Sequence, residues 1–251
     1  MLLAALIGMA GLLLGQAAAA PLLELIQTPN SIFEEAALYL RFYMLGYPFL
    51  LLYDFGAAVL RARGDSRAPF LALMLSGAAN VGLNLFFVVA LHMGVAGVAI
   101  ATDISAALSA LLVLRRFKKD ELFRLTFRKP QFSTKIAGSI LKPGVPSAMQ
   151  GAVFCFANIF VQASVNRFGE TAIAGSTIAM NFEYFTYYII TAFSQTATTF
   201  TSQNYAAGQR DRCRRILWLC LGLSTVCSTI PIVTISCSAT FSRPFLRRRP
   251  P

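Results

Sequence analysis

Long apolar segments alternate along this chain with short polar and basic ones. Seven apolar runs, at 2–26, 38–60, 69–91, 94–114, 136–163, 171–199 and 215–239, are each near the ~20 residues a helix needs to cross a bilayer. The pattern predicts helices rather than barrel strands. A helix satisfies its own backbone N–H and C=O groups inside lipid. Barrel strands would be runs of about 10 residues of alternating character, and the chain has no such alternation. The expected fold class is an all-α membrane protein, a polytopic bundle of about seven transmembrane helices.

Composition agrees and narrows the class. Hydrophobic residues make up 56% of the chain and charged residues 13%, with a mean hydropathy of +0.62. A soluble domain is about one quarter charged, so this chain lacks the polar surface to cover a soluble core. The net charge of +11 would suit a nucleic-acid binder, but its placement argues against one. Basic residues gather in the connections between apolar runs and are nearly absent from the runs themselves.

That placement also orients the spans, because cytoplasmic connections are rich in Lys and Arg. The second connection carries Arg61, Arg63 and Arg67. The fourth carries Arg115, Arg116, Lys118, Lys119, Arg124, Arg128, Lys129 and Lys135, and the sixth Arg210, Arg212, Arg214 and Arg215. These three hold fifteen of the 22 basic residues. The even connections and the N-terminus are therefore expected in the cytoplasm of a multi-pass cell (inner) membrane protein, with Pro251 outside. The basic tail 240–251 sits awkwardly on that outer side, and together with the abrupt start at Met1 it suggests a piece of a longer protein. Ala17 to Ala20 look like a signal-peptide cleavage site, but no Lys or Arg precedes the first apolar run. A first transmembrane helix is the better expectation.

No metal or enzyme constellation stands out. None of the five cysteines, Cys155, Cys213, Cys220, Cys227 and Cys237, forms a C-x-x-C pair, and His92 is the one histidine, so zinc-ligand spacing is absent. Cys213, Cys220 and Cys227 share a helix face and read as small packing residues. Without a G-x-x-x-x-G-K-[ST] loop, ATP hydrolysis is not expected. No cofactor is expected either.

Ionisable groups inside spans are costly and are often functional. Glu24, near the outer end of its span, can reach water. Asp103, with Ser105 and Ser109 nearby, suits either a functional role or helix-packing hydrogen bonds. Asp54 and Glu183 lie deeper in their spans. A carboxylate in a partly dry cavity can take up a proton near neutral pH or bind a cation, so Glu183 first, then Asp54, are the ion-coupling candidates. In the sixth span Thr177, Asn181, Tyr184, Tyr188, Thr191 and Gln195 recur at steps of four and three and share one face. Such a face suits a cavity for amphipathic cations, through stacking and cation–π contact, or hydrogen bonding to neighbouring helices. Glu183 lies off this stripe. Asn158 and Gln162 are further cavity candidates, while Asn80 and Asn84 read as packing and hydrogen-bonding residues. Pro143 and Pro146 should bend the entry of the fifth span, and Trp218 and Tyr205 suit an interfacial aromatic belt.

Three stretches resemble the multidrug and toxic compound extrusion (MATE) family of cation-coupled transporters. They are Tyr39–Phe49 running into Ala57–Pro69; Asn80–Asn84 followed by Gly94–Thr102; and Val145–Ser147 with Val165–Gly169 and then Ser202–Arg212. Ser202 stands where the family commonly has Gly. The resemblance covers about residues 1–238 and implies the third to ninth of twelve helices in a two-lobe transporter. Residues 1–114 would be the last four helices of the first lobe, 115–135 the cytoplasmic linker, and 136–239 the first three helices of the second lobe. It further implies export of drugs or small organic cations in exchange for H⁺ or Na⁺, with the lipid bilayer as the other partner. Two alternatives remain open at this point. A lipid-linked precursor flippase of the same superfamily would call for Arg and Lys to hold pyrophosphate, and the spans contain almost none. A truncated, non-functional membrane protein is the other.

Overall fold

The computed structural model describes residues 1–26, 28, 30–118, 133–166, 168 and 170–246. Among these residues the secondary structure is helical, with no strand. The helices are α1 (Leu2–Leu25), α2 (Asn30–Ala62), α3 (Arg67–Asn84), α4 (Gly94–Lys118), α5 (Thr134–Asn166), α6 (Glu170–Ala206) and α7 (Arg210–Leu246). α2, α4, α5, α6 and α7 each cover one apolar run and extend beyond it into flanking residues, whereas α1 keeps to its run and α3 stops inside its own. Arg115, Arg116 and Lys118 occupy the last turn of α4, where their charge complements the helix dipole. The rest of the expected linker, residues 119–132, lies outside the described residues, as do residues 247–251 of the basic tail.

Six of the seven helices are long and apolar enough to cross a membrane. α6 is the exception to the seven expected spans. It has the length, but its Thr, Ser, Asn, Gln and Tyr residues leave no stretch of spanning length as apolar as those of the other helices. The third span also differs from a plain helix: after Asn84 the chain widens into a π-helical segment, Leu85–Ala90, a rare local form that hydropathy does not signal. α5 runs without a break through Pro143 and Pro146; helices in membranes tolerate proline because neighbouring groups re-satisfy the freed carbonyls.

The chain divides into two compact units, Met1–Ala163 and Ser164–Pro251. In the first, α2 packs against both α1 and α4, and α3 packs against α4. In the second, α6 packs against α7. Lipid tails are as apolar as Leu, so helices in a bilayer are held by close packing of small residues and by hydrogen bonds. The α1–α2 contact follows this rule: Gly8, Gly11 and Gly15 face Pro48, Tyr47 and Met44, and a Cβ at Gly8 would stand 2.9 Å from Pro48 Cα. Gln16 Nε2 donates to Arg41 O at 2.7 Å across the same pair.

At the other end of α2, Tyr53, Ala57, Leu60, Ala72, Ala110, Val113 and Phe117 form a buried cluster joining α2, α3 and α4. Leu60 and Val113 are its largest fully buried side chains, and Tyr53 donates to Pro69 O at 3.2 Å. α2 then stops in a Schellman turn. Gly64 takes a φ of +88°, the Gly64 N–H bonds Arg61 O at 2.9 Å, and the Asp65 N–H bonds Leu60 O at 3.0 Å. Only glycine enters that conformation at little cost. Asp65 next accepts from the Ala68 N–H at 3.0 Å, which ties down the start of α3, and from Arg116 Nε at 3.1 Å. The second basic connection and the start of the fourth therefore meet at one end of the first unit.

Candidate functional site

The first unit contains a polar ladder between α3 and α4. Asn84 Nδ2 donates to Asn80 O at 3.0 Å and to Asn80 Oδ1 at 2.9 Å. Asn80 Nδ2 donates to Ser105 Oγ at 3.3 Å, and Ser105 and Thr102 donate to their own helix at Thr102 O and Val98 O. Asn80 and Asn84 thus make the helix-to-helix and within-helix bonds that their spacing suggested. Asn84 Oδ1 is buried with no hydrogen-bond partner. It sits at the last residue of α3, where the π-helical segment begins.

On the opposite side of α4, Asp103 lies against α2. A methyl group built at Gly46 would overlap Asp103 Oδ1 and stand 3.1 Å from its Cγ, so the carboxyl fills the notch left by a missing side chain. A cavity of about 40 Å³ opens beside it, lined by Tyr43, Gly46, Tyr47, Leu50, Thr102, Asp103 and Ala106. Asp103 Oδ1 is buried and unpartnered. Nothing in the linear sequence connects Gly46 to Asp103; the pairing exists only because α2 and α4 pack together.

Asp54, a candidate from the sequence, follows buried Tyr53 in α2 but is itself exposed. In the second unit Asn181, Tyr184, Tyr188 and Gln195 are exposed along α6, and Thr177 donates to Ile173 O. Tyr188 also meets Tyr187 edge-on, with ring centroids 6.2 Å apart. Glu183 is exposed as well, and two residues from Asn181 means a rotation of about 200° around the helix, away from that stripe. Asn158 and Gln162 belong to α5, with Asn158 exposed and Gln162 partly buried. They fall within the first unit, whereas the α6 stripe falls within the second. Among the described residues no group of three His, Cys, Asp or Glu side chains is placed to hold a metal.

The geometry is that of a helical membrane protein with polar and acidic groups set into its helices, and known proteins share both its sequence and its fold. The probable multidrug resistance protein YoeA of Bacillus subtilis is 25% identical over 238 residues, covering 92% of this chain and 51% of that protein. YpnP of the same organism, also a probable multidrug resistance protein, is 32% identical over 155 residues, covering 61% of this chain and 34% of that protein. A solved inward-facing multidrug resistance MATE family transporter superposes with a TM-score of 0.74 at 23% identity, over 97% of this chain and 55% of that one. The chain thus spans about half the length or less of the proteins it matches. The family model MatE matches residues 1–86 and 146–248, most of the chain on both sides of the basic segment, and this multi-pass membrane chain belongs to the MatE family.

Proposed function

We propose that this chain is part of a secondary active transporter that exports drugs or other small organic cations in exchange for H⁺ or Na⁺ by alternating access. The observation that carries this reading is the family match on both sides of the basic segment 115–135. That match supports taking 1–114 and 136–239 as portions of two lobes and the basic segment as the cytoplasmic linker between them. The exposed aromatic and amide face of α6 supports the substrate class. Tyr184 and Tyr188 offer π faces to a cation, and Asn181 and Gln195 offer hydrogen bonds without a fixed charge. Asn158 and Gln162 on α5 are further amide candidates for contact with the substrate. Glu183 and Asp54 are the acidic groups whose ionisation would couple substrate to the ion gradient.

The test is efflux from liposomes that contain the chain. Ethidium trapped inside should leave faster when a pH or sodium gradient is imposed, and Glu183→Gln should slow gradient-driven efflux about tenfold or more. Efflux no faster than from empty liposomes would overturn transport by this chain. Efflux unchanged in Glu183→Gln would overturn that residue's role.

A further inference from the structure

We propose that Asp103, seated in the Gly46 notch between α2 and α4, is a proton-binding group of this chain, held as the neutral acid while the two helices are packed. The inference rests on the antiport reading only for what the proton does, not for where it binds. Three independent observations converge on the site. The carboxyl occupies the space a side chain at Gly46 would fill, its Oδ1 is buried with no hydrogen-bond partner, and a cavity of about 40 Å³ adjoins it. An ionised carboxylate needs hydrogen bonds or a counter-charge on its oxygens to leave water. This one has no counter-charge, and beside Oδ1 only the backbone of Gly46, which makes no hydrogen bond of good geometry to it.

The surrounding groups decide between a proton and a metal ion. α2 contributes the phenols Tyr43 and Tyr47 to the lining, with Gly46 and Leu50. α4 contributes Thr102, whose hydroxyl proton is already committed to Val98 O at 2.9 Å, and Ala106. α3, packed on α4, brings Asn80 to Ser105 and no titratable group to the cavity. The charged residues of these helices, among them Arg41, Asp54 and Arg61 on α2 and Arg115 and Arg116 on α4, are not part of the lining. Sodium, or any hard cation, wants several oxygen ligands turned toward it, and the wall of this cavity presents almost only carbon. A proton asks for a single oxygen.

The wall of the cavity is almost wholly carbon, so a proton reaches Asp103 from water only when α2 and α4 separate. On uptake a hydronium ion gives its proton to a carboxylate oxygen of Asp103, forming the O–H bond and leaving water. On release that bond breaks and water takes the proton, once α2 and α4 part enough to hydrate the carboxylate. No electron changes hands.

Infrared spectroscopy of the chain in liposomes reads the proton directly, through the carbonyl stretch of a weakly hydrogen-bonded carboxylic acid. The band should be present at neutral pH, absent in Asp103→Asn, and unchanged in Asp211→Asn, a control at the water-facing start of α7. Gly46→Ala keeps the carboxyl but denies it the notch, so in that variant the band should vanish at a lower pH than in the parent chain. It also serves if Asp103→Asn fails to fold. The proposal is overturned if no such band exists at neutral pH, if Asp103→Asn leaves it intact, if Gly46→Ala does not move its titration, or if sodium but not choline removes it at fixed pH. Ethidium efflux separates coupling from binding. Loss of the band with undiminished pH-driven efflux would overturn a role in coupling, and absence of efflux in the parent chain would count against the antiport reading alone.

Discussion

Asp65 shows how one side chain can hold a turn, a helix start and a third helix together. Its carboxyl is held below the usual carboxylate range, first by the Ala68 backbone N–H; partial burial opposes this, and the Arg116 guanidinium and the Arg67 backbone N–H add to the lowering. A carboxyl whose pKa is lowered by folding binds fewer protons in the folded chain than in the unfolded one. The stability it adds is therefore complete above its unfolded pKa of about 3.9 and is lost as pH falls through the lowered folded value. Asp65→Ala removes both the cap and the ion pair and should cost about 1–2 kcal/mol. Asp65→Asn keeps most of the capping bond and should cost less than about 1 kcal/mol. Thermal unfolding in detergent from neutral to acid pH checks this, and both variants should lose part of the acid sensitivity of the parent chain. That Asp65 starts a helix could be read from its place after Gly64; that Arg116 reaches it could not, because the two are brought together only by the packing of α2 on α4.

Helix α1 and helix α6 differ in what their patterns reveal. α1 is apolar around its whole circumference, so hydropathy announces a span but not which face meets a neighbour. The face is set by Gly8, Gly11 and Gly15, which let Pro48, Tyr47 and Met44 approach. Gly8→Leu should therefore overpack the pair and destabilise it by about 1–3 kcal/mol. The same change should weaken disulfide crosslinking between cysteines placed at Gln16 and Arg41, whose positions are in hydrogen-bond contact in the parent. α6 carries the opposite signal. Its polar stripe was legible in the sequence as a period of three and four, and the same polar residues make it the one helix that falls short of the apolarity of the rest. If Tyr188 stacks on aromatic cations, Tyr188→Ala should raise the concentration for half-maximal ethidium efflux roughly fivefold, the equivalent of about 1 kcal/mol of cation–π contact, with little change in maximal rate.

At the scale of the whole chain, charge placement makes a prediction that a membrane can answer. In a background without the native cysteines, a cysteine at His92, in the turn between α3 and α4, should react with an impermeant maleimide added to intact cells. Cysteines at Arg63 and at Arg210 should react only after the membrane is opened. Reaction from outside at Arg63 and Arg210 but not at His92 would reverse the proposed orientation, and reaction of all three would break it. The ion pair between Asp65 and Arg116 already brings the second and fourth connections to one end of the first unit, as alternation requires.

What the sequence determined by itself was local in origin. Helix number, approximate span limits and the expected sidedness follow from the length of apolar runs and the position of Lys and Arg, since lipid demands internally bonded backbone and charge resists translocation. The family was legible too, because its motifs are short stretches read in order. Tertiary structure alone decided which small residues face which neighbours, where α3 widens after Asn84, and that Asp103, rather than exposed Asp54, is the acid seated in a helix interface. The physical reason is that burial of a carboxyl depends on the side chain missing from the opposite helix, and Gly46 lies on another span.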